Sequence, residues 1–230
     1  MALAIDATSK DTNFGEGVTS RTMAHTCTGT NLFLVSFGSV NSGSDIVSGV
    51  TYNGVAMTRS VRQLNNSGTF TMYAYYLIAP ATGANNIVWS LSSGDIAVCG
   101  ISLTGANQSA QPDVSGGSNS GGSSGTSYTN TLTTVADNSW HLAAMRQTVG
   151  GGITAGSGTA VRVDGVGGAS FSVFEDDGGA VTPAGSNTLT GTGTDTDTWF
   201  TAGISVAPFV VSTTTRSPSG GAAYGSPMFY

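Results

Sequence analysis

One stretch, residues 48–60, constrains the fold of this chain more than any other. Asn53-Gly54 at its centre is a two-residue turn signal, because a type I′ turn needs positive φ at both central positions and Asn and Gly tolerate that best. A turn there pairs Tyr52 with Val55, and a one-residue slip would move every apolar side chain to the wet face. That slip costs about 1.5–3 kcal/mol for each large side chain. The pattern predicts an antiparallel hairpin whose buried face carries Val50, Tyr52, Val55 and Met57.

Short apolar runs recur along the chain at regular spacing and are separated by Gly-rich turns. Residues 31–40, 87–91, 96–104 and 140–148 are examples, with residues 92–95 as a turn between the second and the third, and residues 188–206 hold one or two more strands. Gly-Ile-Ser occurs at 100–102 and again at 203–205, which indicates two central strands with similar packing. This spacing predicts an all-β protein, an antiparallel β-sandwich of the jelly-roll type.

The same pattern of strands predicts one β-sandwich domain over residues 18–211. Residues 1–17 and 212–230 are polar or rich in Ser, Gly and Pro, and we expect them to be flexible terminal arms. Residues 115–127, SGGSNSGGSSGTS, have no side chains that could fill a core, and we expect an exposed loop there. A linker between two halves at this loop is the alternative interpretation.

Composition excludes several classes of function. Only 9% of the residues are charged, against about 25% in ordinary soluble domains, and the net charge is −6. Nucleic-acid binding needs a basic stripe, which seven scattered cations do not provide. A membrane span needs about 20 apolar residues, and no run approaches that length. The N-terminal residues lack the pattern of a secretory signal, so we expect synthesis in a host cytoplasm, with function inside the cell or release by lysis or a non-standard route.

Residues 69–79, TFTMYAYYLIA, predict a strand that is apolar on both faces. Such a strand is central or is covered by a neighbouring subunit. Tyr73, Tyr75 and Leu77 are therefore candidate assembly residues. A second apolar group, Met228, Phe229 and Tyr230, follows the Ser/Gly/Pro-rich stretch and is a candidate anchor on a partner subunit.

Catalytic and metal-binding signals are weak. The two histidines, His25 and His141, come without a GxSxG nucleophile elbow, and His141 suits a satisfied, half-buried position better than catalysis. We therefore expect no enzyme and no cofactor. The loop carboxylates could contribute oxygen ligands to calcium but supply too few for a complete site, and we expect no metal; these are Asp176, Asp177, Asp195 and Asp197.

Cysteines and tryptophans leave two questions open. Cys27 and Cys99 could form one disulfide, although two buried free thiols suit their apolar surroundings better. Exposed aromatic rings can stack on sugar rings, and the candidates for such a glycan surface are Trp89, Trp140 and Trp199.

The run TYNGVAMTRS…YYLIAPATGANNIVWSLSSGDIAVCGISLTGANQSAQPDV resembles Gly/Thr/Ser-rich β-sandwich proteins of tailed phages and environmental bacteria. The resemblance covers residues 31–114 and extends more loosely to residue 208. It implies a structural protein of the virion surface, such as a capsid decoration, a head fibre or a tail adhesin. We expect a homo-oligomer, for example a trimer, that docks on capsid or tail proteins. A carbohydrate-binding or adhesin module is the alternative. The shared motifs are structural, so no functional residue is transferred from the resemblance.

Overall fold

The computed structural model describes residues 2–12, 14–148, 152–168, 171–176 and 179–210. These residues form antiparallel β-strands and a single turn of 3₁₀-helix at Val166–Gly168. The fold is therefore the all-β antiparallel sandwich that the sequence predicts. The strands are β1 (Ala4–Lys10), β2 (Gly15–Cys27), β3 (Phe33–Val40), β4 (Val47–Tyr52), β5 (Val55–Ala56), β6 (Thr58–Leu64), β7 (Thr71–Ile78), β8 (Gly83–Thr104), β9 (Val114–Asn119), β10 (Gly125–Thr133), β11 (Trp140–Gln147), β12 (Ile153–Ala155), β13 (Thr159–Val163), β14 (Phe171–Asp176), β15 (Ser186–Asp197) and β16 (Trp199–Val206).

In the first half of the chain, the long strand β8 belongs to two layers. The second part of β8, from Ile96 onward, pairs with β1 on one side and β3 on the other, and β7 and β6 extend this layer. The first part of β8 pairs with β2 and β4. Side chains of β2, β4 and the first part of β8 pack with those of β3 and β7 in one core, so the β2–β8–β4 layer covers the back of the β1–β8–β3–β7–β6 layer.

The second half repeats this arrangement strand for strand. Its larger sheet has the order β13-β14-β11-β16-β9, and its smaller sheet has the order β10-β15-β12. If β15 and β16 correspond to the two parts of β8, both halves have the same strand order in the same chain order, with β5 as the one addition. Each half is thus an eight-stranded, jelly-roll-like sandwich. The sequence predicts one sandwich, whereas the structure contains two sandwiches with the same topology.

Three hydrophobic cores separate the four layers. The shared core joins the two larger sheets and contains Phe33, Phe37, Phe171 and Phe200. A second core fills the first sandwich around Trp89, and a third fills the other sandwich around Tyr128. Because both faces of the larger sheets are covered, β3 is buried along its whole length. Continuous apolar runs such as FLVSFGSV follow from this double burial.

The predicted hairpin is present with the predicted register. Tyr52 pairs with Val55 and Thr51 with Ala56, and the turn residues have φ of 49° at Asn53 and 76° at Gly54. The side chains of Val50, Tyr52 and Met57 are buried as expected. Val55 is 53% exposed, because it lies at the hairpin tip beyond the edge of the second core.

Three predictions about segments are wrong. Residues 1–17 are not a free arm, since β1 and the start of β2 pair with β8 and Leu3 is buried. Residues 115–127 are mostly strand: β9 completes an edge of the larger sheet, and β10 begins at Gly125. Residues 92–95 lie within the continuous strand β8 and do not form a turn between separate strands. The expected C-terminal arm, residues 212–230, lies outside the described residues.

Candidate functional site

Both ends of the described chain meet at one edge of the fold. Ala4 pairs with Thr104 at the start of β1. The amide of Phe209 donates to the carbonyl of Gly105 at 2.7 Å, and Pro208 forms a bridge with Ala106. Residues 104–106 therefore anchor both chain ends.

A largely apolar pocket of about 440 Å³ opens at this edge, and we call it the Trp140 pocket. Its lining residues come from both chain ends, from the start of β11 and from the segment between β14 and β15: Ala2, Leu3, Asn138, Trp140, Ala180, Pro208, Phe209 and Val210. None of these carries a charge, and Val210 is 73% exposed. The chemistry of the pocket therefore suits an apolar occupant, with the Asn138 amide as a polar contact at the rim.

The local backbone fixes the indole of Trp140. Asn138 adopts φ of 61°, the left-handed conformation that Asn tolerates. Its backbone N–H donates to the carbonyl of Val181 at 2.9 Å. A Cβ atom at Gly179 would lie 2.6 Å from the indole, so this glycine lets the backbone pack directly on the ring. The indole is thus held between the shared core and the pocket.

In each sandwich, one aspartate side chain accepts hydrogen bonds from other segments and so links three segments of the chain. Asp6 accepts hydrogen bonds from the amide and hydroxyl of Thr28, after β2, and from Ser102 in β8. Asp113 does the same in the second half, with the amides of Val135 and Ala136 after β10 and the hydroxyls of Ser139 and Ser205. Ser102 and Ser205 are the serines of the two Gly-Ile-Ser triplets, so the sequence repeat reflects equivalent structural positions.

His25 lies within a chain of hydrogen bonds that starts at Asp6. The Ser102 hydroxyl donates to Asp6 at 2.8 Å and lies 3.0 Å from His25 Nε2, while Ser9 Oγ lies 2.8 Å from Nδ1. Since the Ser102 proton points to Asp6, its oxygen accepts from Nε2–H, and Nδ1 accepts from Ser9. Burial lowers the pKa of His25 to about 4, against the opposing effect of the Asp6 charge. The imidazole is 2% exposed, and this network ties β1, β2 and β8 together.

His141 is fully buried and hydrogen-bonded, more deeply than the half-buried position predicted from the sequence. Its Nδ1 lies 2.8 Å from the side-chain oxygen of Asn187, and its Nε2 lies 2.8 Å from that of Asn130. Burial lowers its pKa to about 4, although the Asn187 contact raises it slightly. A Cβ atom at Gly203 would lie 3.0 Å from Nε2, so the second Gly-Ile-Ser triplet makes room for the ring.

The predicted assembly residues of β7 are covered by the chain itself. Tyr73 is 0% and Tyr75 is 4% exposed, and both pack in the second core; Leu77 packs against it and is partly buried. The β2–β8–β4 layer of the same chain covers them, so of the two predicted alternatives the strand is a central one and needs no neighbouring subunit. The other predicted assembly residues, Met228, Phe229 and Tyr230, lie outside the described residues.

The three tryptophans have different environments. Trp89 is fully buried, donates to Ser36 Oγ at 3.0 Å and cannot meet a sugar. Trp199 is partly buried beside Tyr128, with ring centroids 5.8 Å apart. Trp140 is partly buried and lines a pocket, so it is the candidate glycan residue that the geometry favours.

The carboxylates proposed as weak calcium ligands lie at separate places. Asp195 is exposed near the end of β15, whereas Asp197 accepts hydrogen bonds from the Thr148 hydroxyl and the Thr198 amide. Asp176 ends β14, and Asp177 lies outside the described residues. Within the described ranges, no three His, Cys, Asp or Glu side chains are arranged to hold a metal ion.

Cys27 and Cys99 are free and buried. Cys27 lies in the second core and Cys99 in the shared core, on opposite faces of the larger sheet. The favoured interpretation of two buried free thiols is confirmed.

Sequence reasoning missed most of the Trp140 pocket. Leu3 was assigned to an arm, and Phe209 and Val210 follow the last predicted strand without any periodic pattern. The apolar run 206–211 was the available signal, but nothing local indicated that it would meet the first residues of the chain.

Among the residues that the structure describes, no helix has the length and apolarity to cross a membrane. No protein-family model, no curated protein and no solved structure matches the chain.

Proposed function

We propose that this chain is a structural surface protein of a tailed-phage particle, such as a capsid decoration, and that it assembles through the Trp140 pocket. The observation that carries the proposal is an uncharged, apolar pocket at the edge where both chain ends leave the fold. Jelly-roll sandwiches form viral capsid domains and lectins alike, so the fold supports two classes of function without choosing between them. The Trp140 pocket and the apolar residues that line it support the first class, a viral surface protein.

The occupant we propose is the apolar segment Met228, Phe229 and Tyr230 of a neighbouring copy. The chain continues beyond Val210 at the rim of the pocket, and an extended chain from there to residue 228 reaches roughly 60 Å. That length is enough to reach the same pocket on an adjacent molecule.

The energy of one such contact is modest. Burial of a large apolar side chain contributes about 1.5–3 kcal/mol, and fixing the backbone costs about 1–2 kcal/mol per residue. A single arm therefore binds weakly, whereas several arms in an oligomer or on a lattice reinforce one another through effective concentration. Weak single contacts that add up suit a protein that acts on a repeating particle surface.

The test is the solution mass of the full chain by light scattering. Val210→Asp places a charge at the exposed rim of the pocket without disturbing the core, and Val55→Asp is the matched control at an exposed valine of the distant hairpin. We expect an oligomer for the wild-type chain and Val55→Asp, and monomers for Val210→Asp and for a chain that lacks residues 212–230. Equal masses for all four proteins would contradict assembly through this pocket.

Carbohydrate binding is the second candidate, supported by the partly buried Trp140 indole and the Asn138 side chain, which line the same pocket. An aromatic face with a nearby amide is suited to a sugar ring. Binding on a glycan array that Trp140→Leu abolishes and Trp199→Leu retains would favour this function. The absence of any signal on the array would contradict carbohydrate binding.

A further inference from the structure

Arg146 is a buried cation at the contact between the two sandwiches. It lies in β11 and is only 5% exposed, and its Nη1 donates to Ser39 Oγ of β3 at 2.5 Å. Its guanidinium carbon lies 4.4 Å from the ring centroid of Phe70 and 4.9 Å from that of Phe14. Both distances are those of a cation–π contact.

The charge of Arg146 has no counter-ion among the described residues. The ion pairs there join Arg21 to Asp11, and Arg59 and Arg62 to Asp45. Nε of Arg146 is buried without a hydrogen-bond partner. Burial lowers the pKa of Arg146 to about 10, so it stays charged at neutral pH. A buried charge without compensation is strongly destabilising, and the ring contacts offset only part of that cost.

This guanidinium lines a cleft of about 270 Å³, which we call the Arg146 cleft. The other lining residues are Phe14, Glu16, Asn41, Phe70 and Asp95. Asp95 is already engaged, because it accepts from the Gly17 amide at 2.9 Å and from the Asn41 amide group at 3.4 Å. Glu16 is exposed at the start of β2. The cleft therefore presents a buried cation on one side and carboxylates near the solvent.

This charge distribution restricts the ligand. A simple anion would be attracted by Arg146 but repelled by Glu16 and Asp95, and a simple cation would meet the reverse arrangement. A small molecule with both charges satisfies both sides, with a carboxylate on the guanidinium fork and an ammonium group on Glu16. We propose that the Arg146 cleft binds a small zwitterion of the amino-acid class at the contact between the two sandwiches.

The experiment is a thermal-shift titration with glycine, using acetate and methylammonium as single-charge controls at equal ionic strength. Glycine should raise the unfolding temperature in a saturable way, and each control should have a much smaller effect. Larger amino acids then test how much of the cleft a side chain can fill.

Two variants test the assigned groups. Glu16→Gln removes an exposed charge and should weaken glycine binding roughly tenfold, whereas Asp195→Asn, a distant exposed acid, should leave it unchanged. Arg146→Met keeps an apolar side chain of similar length and should abolish the response in a protein that still folds.

Two results would overturn the proposal. One is a glycine response no larger than that of acetate. The other combines two observations: without ligand, Glu16→Gln unfolds at a lower temperature than wild type, and no zwitterion changes the unfolding temperature of wild type. That result would identify Glu16 itself as the counter-ion of Arg146.

Discussion

Mild acid should destabilise this protein through its two buried histidines. The pKa of both His25 and His141 falls from 6.5 to about 4 on folding, because burial disfavours the imidazolium. Between these values the unfolded chain binds protons that the folded chain does not, so stability falls as the pH drops. The contribution is fully present above pH 6.5 and is lost progressively down to about pH 4.

The loss is large compared with total stability. At 1.36 kcal/mol for each pKa unit, each histidine accounts for about 3 kcal/mol by pH 4, and the pair for about 6–7 kcal/mol. Domains of ordinary size are stable by about 5–15 kcal/mol in total. The carboxylates with lowered pKa, Asp6 and Asp45, add to the loss only as the pH approaches their ordinary value of 3.8, so the change between pH 6.5 and about 5 comes from the histidines.

Urea unfolding at pH 7, 6, 5 and 4, followed by tryptophan fluorescence, measures this slope. His141→Gln should retain about half of the pH dependence, and so should His25→Gln, even if each variant is less stable at pH 7. A free energy of unfolding that stays constant from pH 7 to 4.5 would refute the burial of the two imidazoles.

Two further outcomes follow from packing. Gly38→Ala should lower the free energy of unfolding by about 1–3 kcal/mol, because the new Cβ would lie 2.6 Å from Trp89; Gly49→Ala, with no atom within 4 Å, should be near neutral. Cys27 and Cys99 should resist a thiol reagent in the folded protein and react after unfolding, because burial raises the pKa of both thiols; rapid labelling of the native protein would contradict their placement.

Local signals predicted local structure well. The Asn53-Gly54 turn needs no distant partner, and both the register and the positive φ values are as the sequence predicts. The apolar runs at 31–40 and 140–148 likewise predicted the buried strands that the structure shows as β3 and β11.

The pairing of distant segments could not be predicted in the same way. The apolar faces of β7 were correctly read as buried, but sequence alone could not tell whether a neighbouring subunit or the β2–β8–β4 layer would cover Tyr73 and Tyr75. Polar alternation in β1 and β9 was weak because these are edge strands with one covered face. Both were therefore assigned to arms or loops.

The strand order that the two halves share has few counterparts in the sequence. Equivalent positions carry different residues in the two halves, as where Phe33 and Trp140 begin β3 and β11. Asn31 and Asn138, two positions before them, share positive φ, and the Gly-Ile-Ser triplets share their place. These matches are too short to establish a repeat without the strand order.

The central claim is that the Trp140 pocket receives residues 228–230 of another copy. The most direct test mixes two variants, one with Val210→Cys and one with Phe229→Cys, each carrying a different affinity tag. Both native cysteines are buried, so an oxidant should act on the introduced thiols. The account predicts a disulfide-linked pair that contains both tags, and far less of it when Val55→Cys replaces Val210→Cys. Equal yields from the two mixtures would contradict it.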